Sequence, residues 1–367
     1  MNVLIVGFKG FIGQNLFYQL KENKKFNILL LDKDSSKFEI EAKVCNAQII
    51  FLIFGINKEK LPNESFESNY IFTKTICSIL KRNNRKTNII FTSSIQADQR
   101  NAYGRSKLKA EKILLKYKKE TKAKVIIYRL PNIFGKWSKP FYNSVVATFC
   151  FNVARNKKIN ISDKNKVIKL FYIDDLIKDF IAKIKLKKWN TYIEIRNTYN
   201  VTLLQLANLI RSFNTKDKTI LANDISKAFV KKIFSTYQSF LPTSKFKYRI
   251  KSHSDNRGSF VEFLKNEQFG QFSYFSILPK KIRGNHFHHT KLEKFIVING
   301  KAKFNFINII NNDTFSILVN SYENLVINSI PGWAHNIENP GNDVTKILVW
   351  CNELLDKNNP DTNFYKI

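Results

Sequence analysis

The chain has 367 residues, 44% hydrophobic and 25% charged, which is enough for two domains with a core each and excludes a disordered polymer. Its net charge of +32 is uneven, +27 up to Ser244 and +5 beyond, and favours anionic partners. The longest apolar run, Ile49–Ile56, is far shorter than the roughly 18 residues of a membrane span, and no zinc finger, RNP motif or basic heptad points to a specific nucleic-acid partner.

In chain order, Asn2–Val6, Asn27–Leu31, Ile49–Phe54, Asn88–Thr92 and Lys124–Tyr128 read as buried strands. Between them Phe11–Glu22, Tyr70–Lys81 and Ser106–Thr121 carry helical periodicity. That alternation predicts an α/β unit, a Rossmann-like doubly wound parallel sheet, over residues 1–244. The pattern is mixed from about Lys139 to Pro242, and the polar Ser235–Lys245 stretch is the candidate linker. Beyond it the period falls to two in Gln271–Ile277, Glu293–Ile298, Ala302–Ile307, Thr314–Val319 and Thr345–Trp350. Residues 245–367 are therefore expected to form an all-β barrel or jelly roll. Cys45, Cys77, Cys150 and Cys351 lack C-x-x-C spacing and read as buried thiols. With MNVLIVGF at the start showing no signal peptide, a reducing cytoplasm is the expected location.

Three constellations carry chemistry. Gly7, Gly10 and Gly13 follow the first strand and open the first helix, where absent Cβ atoms let the backbone approach a pyrophosphate. Asp32 ends the second strand and can accept the adenosine ribose hydroxyls, favouring NAD, while the adjacent Lys33 can instead meet a 2′-phosphate. Tyr103 and Lys107, four apart on a helix, place an ammonium beside a phenol, which should lower the tyrosine pKa for proton transfer. Thr92-Ser93-Ser94 ends a buried strand just upstream. The third group is histidine-rich. His286 and His288 share a strand face, His289 points away, and Glu293 and His335 follow. His286, His288, Glu293 and His335 make a candidate divalent-metal set that suits zinc, manganese, iron or nickel.

With Arg129-Leu-Pro-Asn132 and Phe171-Tyr-Ile-Asp174-Asp175, the glycines, Ser94 and Tyr103/Lys107 resemble the extended short-chain dehydrogenase/reductase family. That resemblance implies hydride transfer to a carbonyl: Tyr103 gives the proton, Ser94 holds the oxygen, and Lys107 tunes Tyr103 and binds the cofactor ribose. His-x-His-x₄-Glu-x₆-Gly and the later histidine are similar to the two cupin motifs. Asp255-Asn-Arg257-Gly258 and Arg283-Gly284-Asn285-His286 resemble cupin-fold epimerases of the dTDP-4-dehydrorhamnose epimerase type. There the implied base is His286, which collides with its place as a ligand; His289 is the substitute if a β-bulge corrects its parity.

Both chemistries act on one carbonyl, so the implied order is epimerisation followed by reduction. The whole chain resembles bifunctional capsular-polysaccharide biosynthesis enzymes, through Ser94-Ile-Gln-Ala, Phe134-Gly-Lys-Trp-Ser-Lys-Pro, Asn143-Ser-Val-Val-Ala-Thr-Phe, Asn285-His-Phe-His-His-Thr-Lys and His335-Asn-Ile-Glu-Asn. That resemblance implies a zinc-containing homodimer that epimerises C-3 and reduces C-4 of a UDP-linked 4-keto-6-deoxy-N-acetylhexosamine, with NADPH or alternatively NADH, toward UDP-N-acetyl-L-fucosamine. The alternative is a reductase whose cupin is a non-catalytic, metal-stabilised dimerisation module.

Overall fold

The computed structural model describes residues 1–23, 25–32, 34–55, 66–186, 189–214, 225–354 and 360–367. Two compact units divide the chain, Met1–Phe213 with Ala228–Pro242, and Asn214–Lys227 with Thr243–Ile367. No helix among the described residues is long and apolar enough to cross a membrane.

In the first unit, strands β1 (Asn2–Val6), β2 (Asn27–Leu31), β3 (Ile49–Leu52), β4 (Asn88–Ser94) and β5 (Val125–Leu130) alternate with helices α1 (Phe11–Lys21), α2 (Lys37–Asn46), α3 (Ser68–Arg82) and α4 (Ala102–Thr121). There follow β6 (Asn132–Phe134), α5 (Val145–Ala154), β7 (Val167–Tyr172), α6 (Ile173–Ile184), β8 (Tyr192–Glu194), β9 (Tyr199–Thr202), α7 (Leu203–Ser212) and α8 (Ala228–Gln238). The main sheet is parallel in the order β2-β1-β3-β4-β5-β8. Its strands are apolar on both sides because both faces are covered. Leu4, Ile50 and Phe91 pack with residues of α2–α4, while Val3, Phe51, Ile90 and Tyr128 pack with residues of α1 and α6. The order reverses between β2 and β3 on either side of β1, which opens a crevice at the carboxyl ends of β1 and β3.

Two of the differences from the sequence reading matter for the site and the domain boundary. Asn101 accepts a hydrogen bond from Gly104 N at 2.7 Å, so α4 starts at Ala102 rather than Ser106 and carries Tyr103 in its first turn. The candidate linker is helical over its first residues: α8 runs to Gln238 and buries Thr236 and Tyr237 in a core shared with α5 and α7. The mixed stretch before it supplies β7 and β9, which join β6 in a second sheet, β6-β7-β9.

The second unit contains β10 (His253–Asp255), β11 (Gly258–Asn266), β12 (Gly270–Ile277), β13 (Ile282–Phe287), β14 (Glu293–Asn299) and β15 (Lys301–Asn308). It continues through β16 (Thr314–Asn320), β17 (Val326–Ser329), β18 (Trp333–Glu338), β19 (Thr345–Cys351) and β20 (Asn363–Phe364). These form two sheets, β10-β11-β12-β19-β14-β17 and β16-β15-β18-β13-β20, antiparallel throughout. Phe275, Phe295, Val297 and Ile347 of the first share one core with Ala302, Phe304, Phe306 and Ile337 of the second. The all-β expectation holds.

Candidate active sites

At the crevice of the first unit, Gly7 has φ +88° and a Cβ there would lie 2.9 Å from Phe54 Cα. A Cβ on Gly13 would lie 2.3 Å from the Gly7 carbonyl oxygen. The turn is thus pressed between the exit of β3 and the start of α1, with Gly10 at the helix N-cap and no side chain capping the helix there. Its first amides and bare backbone suit a dinucleotide pyrophosphate. Asp32 follows β2, as expected, and Lys33 lies outside the described residues. A residue that sequence reasoning passed over faces Asp32: Lys9 Nζ stands 2.9 Å from Asp32 Oδ2 and 3.6 Å from Asp34 Oδ2, which raises the pKa of the Lys9 ammonium. Its only sequence signal is a basic letter inside the glycine loop.

Ser94 ends β4, and Tyr103 and Lys107 occupy the first turns of α4, so the structure brings the three together. Lys107 is buried; its Nζ donates to Thr92 O at 3.0 Å and Phe54 O at 3.3 Å and lies 6.0 Å from the Tyr103 ring centroid. Burial lowers its pKa to about 8, against the opposing charge of Glu111. Burial also pushes the Tyr103 phenol up to about 12, with the Ser94 hydroxyl pulling the other way. The expectation of a lowered tyrosine is therefore corrected: the Lys107 ammonium is directed at two carbonyls, and desolvation of the ring is the largest influence on the phenol.

Behind this trio stands Glu111, also missed in the sequence. It is fully buried, one turn past Lys107. It accepts from Ser93 Oγ, and from Arg129 Nε at 3.1 Å and the outer guanidinium nitrogen at 2.8 Å. Arg129 reaches Asp98 at 2.7 Å with its other arm. This network ties the strand end that carries Ser94 to the helix that carries Tyr103. Asp174 is held by Lys136 and Gln19, and Asp175 by Lys232.

In the second unit, one ligand atom from each of His286, His288, Glu293 and His335 lies within 4.8 Å of the others. Glu293 Oε2 is 3.2 Å from both His288 Nε2 and His335 Nε2 and 3.9 Å from His286 Nε2. The backbone explains the convergence. Asn285 is an extra residue between the pairs Gly284↔Asn336 and His286↔His335, with φ +59°, next to Gly284 at φ +106°. A Cβ on Gly284 would lie 2.8 Å from Asn336 Cα, so the bulge requires that glycine. It sits upstream of both histidines and turns His286 to the same face as His335. His289 stays exposed, its ring against Phe287 at 5.2 Å, and is not part of the group.

Outer contacts fix the remaining atoms. His335 Nδ1 bonds Ser329 Oγ at 2.8 Å, His288 Nδ1 bonds the Asp361 carbonyl, and the Cys351 thiol donates to Glu293 Oε1 at 3.5 Å. Burial alone would raise the Glu293 carboxyl, but the three imidazoles hold it well below the usual range. Buried His286 Nε2, His288 Nε2 and Glu293 Oε2 have no hydrogen-bond partner. These orphaned atoms, two imidazole nitrogens and one carboxylate oxygen, lie with His335 Nε2 around one point and fit a divalent transition-metal ion.

A nucleotide-binding α/β fold with this glycine turn defines the class: residues 3–201 match the NAD dependent epimerase/dehydratase family, and the chain belongs to it. Residues 253–363 match the polysaccharide biosynthesis C-terminal domain. The chain is 38% identical over 363 residues to a UDP-2-acetamido-2,6-beta-L-arabino-hexul-4-ose reductase of Pseudomonas aeruginosa, covering 99% of this chain and 98% of that protein. Among solved structures it resembles the capsular polysaccharide assembling protein CapF of Staphylococcus aureus, with a TM-score of 0.91, 36% identity and all of both chains covered. The fold of the first unit also recurs in a UDP-glucuronic acid 4-epimerase of Bacillus cereus, with a TM-score of 0.56, 15% identity, and 65% of this chain and 98% of that one covered.

Proposed function

We propose that the chain is a bifunctional nucleotide-sugar enzyme of capsule or surface polysaccharide biosynthesis. Its second unit, a cupin, epimerises C-3 of a UDP-4-keto-6-deoxy-N-acetylhexosamine, and its first unit then reduces C-4, toward UDP-N-acetyl-L-fucosamine. The observation that carries this reading is the gathering of Ser94, Tyr103 and Lys107 beside the glycine turn, in a chain matched end to end by a UDP-keto-sugar reductase.

Gly7, Gly10, Gly13 and Asp32 would hold NADPH, or NADH, which supplies the hydride when bound. Ser94 holds the substrate oxygen. Tyr103 delivers a proton to that oxygen as it becomes an alkoxide; a phenol near 12 is a competent acid toward an alkoxide. Lys107 meets the cofactor ribose and lies beside the phenol. In the second unit, His286, His288, Glu293 and His335 would hold a divalent ion, zinc, which polarises a nearby carbonyl. His286 Nε2 can act as the base only while it is off the ion, which His288, Glu293 and His335 would then keep; His289 is exposed and outside the group. The enzyme works as a homodimer in the cytoplasm.

Incubation with the 4-keto sugar in deuterated water, followed by reduced cofactor, tests both steps. Deuterium at C-3 and stoichiometric cofactor oxidation are expected. Oxidation without deuterium would leave a reductase with a non-catalytic second unit, and absence of both overturns the reading.

A further inference from the structure

The turn from His288 to Lys291 joins β13 to β14 and sets where His288 and Glu293 meet. It is not regular secondary structure, yet its donors converge on one carboxylate 70 residues away in sequence from Lys291. Asp361 Oδ1 accepts from His289 N at 2.8 Å. Asp361 Oδ2 accepts from Thr290 N at 2.8 Å, Thr290 Oγ1 at 3.0 Å and Lys291 N at 3.0 Å. The Asp361 carbonyl takes the hydrogen bond of His288 Nδ1. Just beyond it, β20 pairs His286 with Phe364, and Tyr365 N donates to Asn285 O at 2.8 Å. The C-terminal segment therefore grips His286 at the end of β13, His288 just after it and the turn that follows.

We propose that Asp361 is a positioning residue for the histidine–glutamate cluster, setting its metal affinity through His288. The proposal rests on the reading that His286, His288, Glu293 and His335 hold a divalent ion. The physical reason is the tautomer. A carbonyl oxygen accepts only, so His288 Nδ1 must carry the ring proton, and a neutral imidazole then has its lone pair on Nε2, the atom 3.2 Å from Glu293 Oε2. The carbonyl keeps its place because the carboxylate of the same residue is anchored to three successive amides.

The test uses the full chain as wild type, Asp361→Asn and Asp361→Ala. Zinc affinity is read by competition with a chromophoric chelator, and ligand geometry by the visible spectrum of the cobalt-substituted protein. Asp361→Ala is expected to weaken zinc binding by about 10–100-fold and to change the cobalt spectrum. Asp361→Asn, which keeps the shape but turns an amide donor toward backbone N–H groups, is expected to move both in the same direction and guards against a misfolded alanine variant. Reduction of an already epimerised substrate by the first unit should be unchanged in Asp361→Asn. Wild-type affinity and an unaltered spectrum in Asp361→Asn overturn the proposal. A wild-type chain that binds no stoichiometric zinc overturns the metal reading itself, and the positioning role with it.

Discussion

The Lys9 ammonium lies 2.9 Å from the Asp32 carboxylate, joining the glycine turn to the end of β2 where the adenosine ribose of a dinucleotide would sit. A 2′-phosphate arriving there must take Lys9 from Asp32 and tolerate the carboxylate, whereas a ribose diol needs only the carboxylate. Lys9→Ala is therefore expected to raise KM for NADPH several-fold and leave NADH nearly unchanged. Asp32→Ala is expected to shift the NADPH-to-NADH ratio of kcat/KM toward NADPH by about tenfold, or roughly 1.4 kcal/mol. Initial rates with both cofactors decide it; equal effects on both would remove the pair from cofactor choice.

Lys107 gives a pH signature without any ligand. Its folded pKa of about 8 lies below the ordinary 10.5, so between those values the unfolded chain binds more protons than the native one. Stability contributed by this site therefore rises with pH from about 8 to 10.5 and is flat below. Lys107→Met removes the term. Denaturation of both proteins across that window should show the wild type gaining on the variant by at most about 3 kcal/mol. A constant difference would show that the amine is not desolvated.

Glu111 is fully buried and paired with the Arg129 guanidinium at 2.8 Å. Arg129→Met leaves that carboxylate with only hydroxyl partners and should cost about 3–5 kcal/mol of unfolding free energy. Glu111→Gln, which removes the charge but keeps hydrogen bonding, should cost less. Urea denaturation of the two variants checks the order.

In the second unit, chelation of divalent ions should lower the thermal midpoint of the wild type and leave His335→Ala, already lacking one ligand, insensitive. Ion binding to the native state alone adds about 2.7 kcal/mol at a hundredfold excess over Kd. Identical chelator responses in calorimetry would disconnect the four residues from metal.

The sequence was most readable where burial is symmetric. β1, β3, β4 and β5 are covered on both faces, and their uninterrupted Val, Ile, Leu and Phe runs follow from that. α2 escaped because Val44 is its sole buried residue and the rest reads as solvated charge. β18 escaped as well, and β13 showed only through its histidines: they carry His286, His335, Asn285 and Asn336, polar residues that join rows across the sheet, so no apolar alternation marks them. The site residues chosen from spacing were gathered by the fold as groups. The supporting partners, Lys9 for Asp32, Arg129 for Glu111 and Asp361 for His288, are 18 to 73 residues distant, beyond the reach of helix or strand periodicity.

Asn285 makes β13 one residue longer than its partner over the same span. Everything before it alternates in one phase, with Arg283 opposite Ile337, and everything after it in the other, with His286 opposite His335. The length of this short strand thus matters more than most of its letters. Pairing Asn285 itself with His335, with the residue kept and the bulge lost, would exchange inside for outside, sending both imidazoles toward water while Phe287 swung into a chamber built for polar chemistry.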